Sequence, residues 1–249
     1  MKLNYLFVMF ALMTMSEASA KPVMIAHAGG GYKGVAYTNS IDALEASYQA
    51  GFRYMELDFS WTSDGRLVCL HDWDKTFITV FNQKTKGPVP YADFKQLVKE
   101  HADYKPCTLA SLSAWLKNKP EVKIITDIKY DNLKGIQLIL KSYPLLQPQL
   151  IPQFYQVEEY LPLKNMGFDD LIWILYQFKG SKKSVIKHSQ DMDLWAVSMQ
   201  AKQAKSKTLQ QLLKRHRIFV YTINNAKTMQ QLVNKYHVSG IYTDFLSLL

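Results

Sequence analysis

Apolar, β-branched and aromatic residues gather into nine short runs: Met24 to Ala28, Tyr54 to Phe59, Leu67 to His71, Lys123 to Ile128, Leu150 to Phe154, Leu171 to Tyr176, Leu194 to Ser198, Ile218 to Ile223 and Gly240 to Thr243. Helix-sized segments separate most of them, at Ser40 to Ala50, Leu109 to Lys117, Asn132 to Ser142, Thr208 to Arg215 and Ala226 to Tyr236. Strands alternating with helices predict a parallel sheet with helices outside. The second and third runs break the alternation, because only Ser60 to Arg66 joins them and Asp64-Gly65 is a dipeptide that closes tight hairpins. A turn centred there sets Asp58 opposite His71, with Glu56 one alternate position away. One of these two arms is then surplus to an eight-stave fold.

Between residues 73 and 106 the helical pattern weakens around the breaker cluster Gly87-Pro88-Val89-Pro90, with one short helical candidate near Tyr91 to Lys99. The stretch reads as an insertion covering the mouth of the fold. At the other end, Lys2, the apolar run Tyr5 to Met15 and Ala18-Ser19-Ala20 form the pattern of a secretory signal peptide over residues 1–20. The run is too short for a permanent span, which predicts a secreted or periplasmic product. The remaining 21–249 is an ordinary length for a single barrel domain.

Composition narrows the partners. The formal charge of +9 survives loss of the signal, since Lys2 and Glu17 leave together. The lysines are spread along the chain, and neither a ribonucleoprotein signature nor zinc-finger spacing is present, so no nucleic-acid partner is expected. An acidic substrate or peripheral contact with an anionic membrane both remain compatible with this charge. The two cysteines, Cys69 and Cys107, lack C-x-x-C spacing. Cys69 precedes His71 by two in an apolar run, which predicts a plain buried thiol near the site.

Candidate chemistry collects at the ends of the apolar runs. His27 ends the first and is followed by Ala28-Gly29-Gly30-Gly31, whose glycines allow close backbone approach to a ligand. Glu56 and Asp58 share one face of a strand by their i, i+2 spacing. Asp127 and Lys129 do the same in Ile-Ile-Thr-Asp-Ile-Lys. Acids on a strand covered on both faces need a cation or a partner, and three strand-end carboxylates suit a hard cation, Ca2+ or Mg2+. His71 closes an apolar run in the manner of barrel active sites. With the acids sufficient for the metal, His27 and His71 are expected as general acid and base.

These motifs resemble the glycerophosphodiester phosphodiesterases, which carry His-Arg-Gly after the first strand, then Glu-Asn-Thr, Glu-x-Asp before Thr-x-Asp-Gly, a strand ending His-Asp, and Glu-x-Lys. Here stand His27-Ala28-Gly29, Thr38-Asn39-Ser40, Glu56-Leu57-Asp58, Thr62-Ser63-Asp64-Gly65, His71-Asp72 and Asp127-Ile128-Lys129. The likeness continues through Pro106-Cys107-Thr108-Leu109, Gln153-Phe154, Tyr221-Thr222-Ile223-Asn224 and Gly240-Ile241-Tyr242-Thr243-Asp244. The resemblance implies a TIM-type (β/α)8 barrel with a small insertion after the His71 strand. It also implies metal-dependent hydrolysis of a small or polymeric phosphodiester. Glu56, Asp58 and Asp127 would hold the cation, His27 and His71 would exchange protons, and Lys129 would bind substrate.

Three positions depart from the pattern: Ala28 replaces the family arginine, Thr38 replaces an acid, and Asp127 is a methylene shorter than glutamate. Neither Lys33 nor Arg53 can be given the arginine's role from sequence. The related sphingomyelinase D toxins also carry aspartate before the lysine, so a choline-lipid phospholipase is the alternative; Phe77, Ile78, Val80 and Phe81 could form the apolar rim it needs. A barrel that binds phosphodiesters without turnover is a third reading. A glycosidase would require neither the histidines nor Lys129.

Overall fold

In the computed structural model, which describes residues 21–248 except residue 102, the nine runs become nine strands. The expected signal peptide lies outside the described residues. The strands are β1 (Val23–Ala26), β2 (Tyr54–Trp61), β3 (Leu67–Cys69), β4 (Lys123–Ile128), β5 (Leu150–Phe154), β6 (Ile172–Ile174), β7 (Ala196–Gln200), β8 (Arg217–Tyr221) and β9 (Gly240–Thr243). Eight are parallel, and β1 pairs with both β9 and β2, which closes a barrel. β3 is the surplus arm, antiparallel on β2. The chain is a TIM-type barrel.

Alternation along the strands decides what faces inward. Ile25, Ile125, Ile151, Ile172, Ala196, Phe219 and Tyr242 come from seven different barrel strands and pack as one inner layer, with Tyr54 of β2 against them. Outward residues such as Met55, Leu57 and Phe59 join a larger core beneath the helices. Those helices are α1 (Ile41–Gln49), α2 (Lys75–Phe81), α3 (Tyr91–Glu100), α4 (Leu109–Leu116), α5 (Asn132–Ser142), α6 (Tyr160–Asn165), α7 (Lys182–Ser189), α8 (Ala201–Ala204) and α9 (Ala226–Tyr236). The expected helix at 208–215 forms instead as a 3-10 segment, Leu209–Lys214. Among the described residues, no helix is long and apolar enough to cross a membrane.

The hairpin register differs from expectation by one residue. Phe59 faces Cys69 and Trp61 faces Leu67, so Asp58 lies opposite Leu70, whose amide donates to its carbonyl at 3.1 Å. The cause is a three-residue loop: Thr62 N–H donates to Arg66 O at 2.8 Å, with Gly65 left-handed at φ 73°. A left-handed glycine at that place is the usual way to close such a loop. His71 therefore stands beyond the end of β3 and does not share a strand face with Cys69.

Cys69 is also not a free thiol, because it is disulfide-bonded to Cys107, with Cα atoms 4.9 Å apart. Residues 106–108 run antiparallel beside β3: Cys69 N–H donates to Cys107 O at 2.8 Å, and Cys107 N–H donates to Asn39 O at 2.9 Å. This three-way seam brings together residues that local spacing could not connect. The insertion supplies α2 and α3. Its Phe77, Val80, Phe81 and Phe94 are buried against Val68 and Leu70, so the apolar rim of a lipid enzyme is not formed by those side chains. Nor does the insertion line the main cavity at the barrel mouth.

The disulfide closes a loop of sequence separation 38, for which loss of denatured-state entropy corresponds to about 4 kcal/mol. Cys69→Ala/Cys107→Ala should lower the urea-unfolding free energy by up to about that amount. Coincident urea transitions for the oxidised wild type and this variant would contradict a stabilising bond.

Candidate active site

Moving two residues up β1, β2, β4 and β5 from the inner apolar layer changes the inward side chains from apolar to polar. Ile25 is followed on that face by His27, Tyr54 by Glu56 and Asp58, Ile125 by Asp127 and Lys129, and Ile151 by Gln153 and Tyr155. All seven of these polar residues line a cavity of about 620 Å³ at the C-terminal ends of the strands. That is the end at which barrel enzymes build their sites. His71, arriving from the β3 arm, completes the wall. All six residues expected from the sequence are thus brought together.

Glu56, Asp58 and Asp127 each offer one carboxylate oxygen within 4.8 Å of the others'. They are 2 %, 2 % and 7 % exposed, so little water screens their repulsion. Each carboxylate has a neutral donor. The Ala28 amide donates to Glu56 Oε2 at 2.8 Å; Asn39 Nδ2 donates to Asp58 Oδ2 at 3.0 Å; the Tyr155 hydroxyl donates to Asp127 Oδ1. Lys129 Nζ adds positive charge, donating to Asp58 Oδ1 at 2.8 Å and lying 3.5 Å from Asp127 Oδ2. Oxygen ligands in this number and charge fit a hard divalent cation.

The turn after β1 explains the Ala28 contact. Ala28 has φ 49° and its side chain is fully buried, so the residue serves the site through its backbone. Thr38, where an acid was the familial expectation, is buried and hydrogen-bonded to Ser40 Oγ at 3.0 Å. Arg53 sits at the opposite end of β2, 3.6 Å from Glu121. Lys33 lies over the Tyr32 ring and does not line the cavity.

The two histidines are held alike. His27 Nδ1 is 2.8 Å from Asp244 Oδ1, and His71 Nδ1 is 2.7 Å from Asp72 Oδ2. Asp244 is itself gripped by Asn224 Nδ2 at 2.7 Å, so the Tyr-Thr-Ile-Asn and Tyr-Thr-Asp segments at the chain's end form one support for His27. Thr76, on α2, donates its amide and hydroxyl to Asp72. Tyr37 stands between the imidazoles, edge-on to both, at 4.7 and 5.1 Å between centroids. Sequence reasoning missed Tyr37 and placed Asn39 in the Thr38-Asn39-Ser40 match without giving it a role; both lie in a loop, with positive φ angles of 60° and 47°, and carry no period. Tyr155 had a signal, its i, i+2 spacing from Gln153.

Charge balance appears in the proton affinities. Burial opposes the His27 imidazolium, but the hydrogen bond to Asp244 and the charges of Glu56 and Asp58 raise its pKa to about 9. Burial, with the Asp58 charge second, raises Glu56 to about 8. Burial also raises Asp127, against the pull of Lys129. Asp58 is held below the ordinary carboxylate range: burial works against its charge, but Lys129 and then His71 and His27 overcome it. Burial and neighbouring negative charge thus keep a proton on Glu56 at neutral pH and incline Asp127 toward protonation, so a bound cation would compete with protons for these groups.

The sequence model of the glycerophosphoryl diester phosphodiesterase family matches residues 27–158. Among solved structures, the chain is similar to a glycerophosphodiester phosphodiesterase from Thermotoga maritima, at 18 % identity, 90 % coverage of this chain and 94 % of that one, with a TM-score of 0.70. One from Parabacteroides distasonis is 19 % identical over 90 % and 94 % of the two chains, with a TM-score of 0.67. A phosphodiesterase from Oleispira antarctica, solved with the product sn-glycerol-3-phosphate, is 16 % identical over 90 % and 94 %, with a TM-score of 0.69. At these identities the structural likeness shows a shared fold.

A cation binding the native protein should stabilise it, by about 2.7 kcal/mol at a hundredfold excess over its Kd. Calcium or magnesium is expected to raise Tm by several degrees, and Asp58→Asn should abolish the shift. Because Glu56 carries a proton below pH 8, cation affinity should rise with pH until about 8 and then flatten, with a proton released below that point. Calorimetric Kd values that do not change between pH 6.5 and 8.5 would contradict this linkage.

Proposed function

This chain belongs to the glycerophosphoryl diester phosphodiesterase family of phosphoric diester hydrolases, and we propose that it is an exported member that cleaves diesters bearing a hydroxyl beside the phosphate. Glycerophosphodiesters and polyol-phosphate polymers have that chemistry. The observation that carries the reading is the meeting of three buried carboxylates with two histidines whose Nδ1 atoms are both held by acids. An oxidising compartment is consistent with the Cys69–Cys107 bond.

Glu56, Asp58 and Asp127 hold Ca2+ or Mg2+ in this reading. When bound, the cation supplies positive charge against the anionic oxygens of the transition state. Lys129, fixed by Asp58, adds a second positive charge to the same wall. Asp244 and Asp72 orient the imidazoles through Nδ1 and leave Nε2 of each ring for the substrate. One histidine takes the proton of the neighbouring hydroxyl as its oxygen attacks phosphorus. The other gives a proton to the leaving alkoxide as the old P–O bond breaks, and water then opens the resulting cyclic diester with the two proton-transfer roles exchanged. Tyr37, packed between the rings, keeps them apart and fixes their tilt. The sphingomyelinase-like alternative keeps its aspartate before the lysine but loses most of the apolar rim it was expected to show, because Phe77, Val80 and Phe81 are interior and Ile78 is half-buried.

Hydrolysis of a phosphodiester panel, with and without chelator, tests the proposal. Turnover should require the divalent cation, and His27→Ala and His71→Ala should each lower kcat by at least about a hundredfold, the scale of general acid-base catalysis. Both variants should keep the cation-induced thermal shift. Undiminished turnover in excess EDTA would sink the cation assignment; loss of the shift in a histidine variant would make that histidine a ligand.

A further inference from the structure

The three carboxylates differ in how they are held, and the difference isolates one residue. Glu56 is oriented by a backbone amide, and Asp58 by a reciprocal pair, since Asn39 Oδ1 also accepts from the Asp58 amide at 2.9 Å. Asp58 is further tied by Lys129 at 2.8 Å. Asp127 has no backbone amide on its carboxylate among the described contacts. Its Oδ2 is 3.5 Å from Lys129, a longer approach than that of Asp58. What remains to define its plane is the hydroxyl of Tyr155 on Oδ1.

Tyr155 is built as a fixed post. It follows the end of β5, the neighbour of β4 in the barrel, and its residue is 3 % exposed. Its amide donates to Glu159 Oε2 at 2.9 Å, and its carbonyl accepts from Trp173 Nε1 at 3.2 Å. The backbone is clamped on both sides and the residue is almost wholly buried, which together restrict the swing of the phenol. We propose that Tyr155 is a positioning residue of the cation site: its O–H holds the short side chain of Asp127 with a carboxylate oxygen facing those of Glu56 and Asp58.

The physical reason is competition within a small pocket. Asp127 is repelled by its two acidic neighbours and attracted by Lys129, whose charge is engaged mainly by Asp58. Left to these forces, the carboxylate turns toward the lysine and away from the cluster. One hydrogen bond on the other oxygen opposes that rotation, and the oxygen that accepts it keeps a lone pair for a cation. Partners that orient ligands in this way typically change metal affinity by about 10- to 100-fold when removed.

This inference rests on the cation reading above, and the experiment separates the two. Kd for calcium and for magnesium is measured by calorimetry on wild type, Tyr155→Phe, Asp127→Glu and the double variant, with turnover followed across a cation titration. Tyr155→Phe should weaken cation binding about 10- to 100-fold and recover most of its turnover at saturating cation. Simple structural damage would lower Tm without moving Kd. In the Asp127→Glu background, where the longer carboxylate no longer meets the phenol in the same way, the Phe substitution should cost much less, a non-additivity expected of contacting residues. Wild type without measurable binding would overturn both readings. Wild-type binding with an unchanged Kd in Tyr155→Phe overturns this one alone, as does a fall in turnover that saturating cation leaves in place. If Tyr155→Phe does not fold, equal Kd values for wild type and Asp127→Glu would still count against the proposal, because the positioned aspartate and the free glutamate should bind differently.

Discussion

The mutual repulsion of three buried carboxylates is the constraint around which the top of this barrel is arranged. Their ligand oxygens lie within 4.8 Å of one another, in a site where water screens little. Such a cluster survives folding only if each acid is paired, hydrogen-bonded or protonated. The structure uses all three means. Lys129 neutralises part of the charge, three separate loops deliver a neutral donor each, and burial keeps Glu56 and Asp127 inclined to hold protons. The barrel mouth is thus a set of supports converging from β1, the turn before α1, β4 and β5 on one charged centre.

Strand parity is why so much of this was readable. Once Glu56 and Asp58, or Asp127 and Lys129, fall at i, i+2 in apolar runs, a pleated backbone leaves them no choice but one face. On a closed parallel barrel that face is the interior. The alternation of runs predicts the parallel sheet, and the surplus hairpin arm follows from the short connection between Tyr54–Trp61 and Leu67–Cys69. Acids and the lysine whose position depends on a period of two were therefore found, whereas Tyr155, two after Gln153, carried the same signal and was not.

Residues whose position depends on a loop or on a distant contact were not. The one-residue register change between β2 and β3 turns on Gly65 adopting a left-handed conformation, a choice between two hairpin loops that the dipeptide Asp-Gly permits equally. Cys107 meets Cys69 through a seam of backbone hydrogen bonds that also involves Asn39, and no local pattern announces it. Tyr37 and Asn39 belong to a stretch whose backbone is held by that same seam. The supports of His27 come from the far end of the chain, Asn224 and Asp244; the sequence contained both, but only closure of β9 onto β1 gives them a purpose.

The charge distribution also implies an order of events. The chain as a whole is basic, with a formal charge of +9, which draws an anionic diester toward the protein. At the site itself the positive charge is already engaged: Lys129 shares its charge between Asp58 and Asp127, and His27 faces Asp244 and Glu56. Little of that charge is left for a phosphodiester, and burial holds a proton on Glu56. A divalent cation that takes the place of that proton would make the site more positive by one unit. On the proposed reading, cation binding therefore precedes productive substrate binding, because the charge that draws the diester into the cavity arrives with the cation.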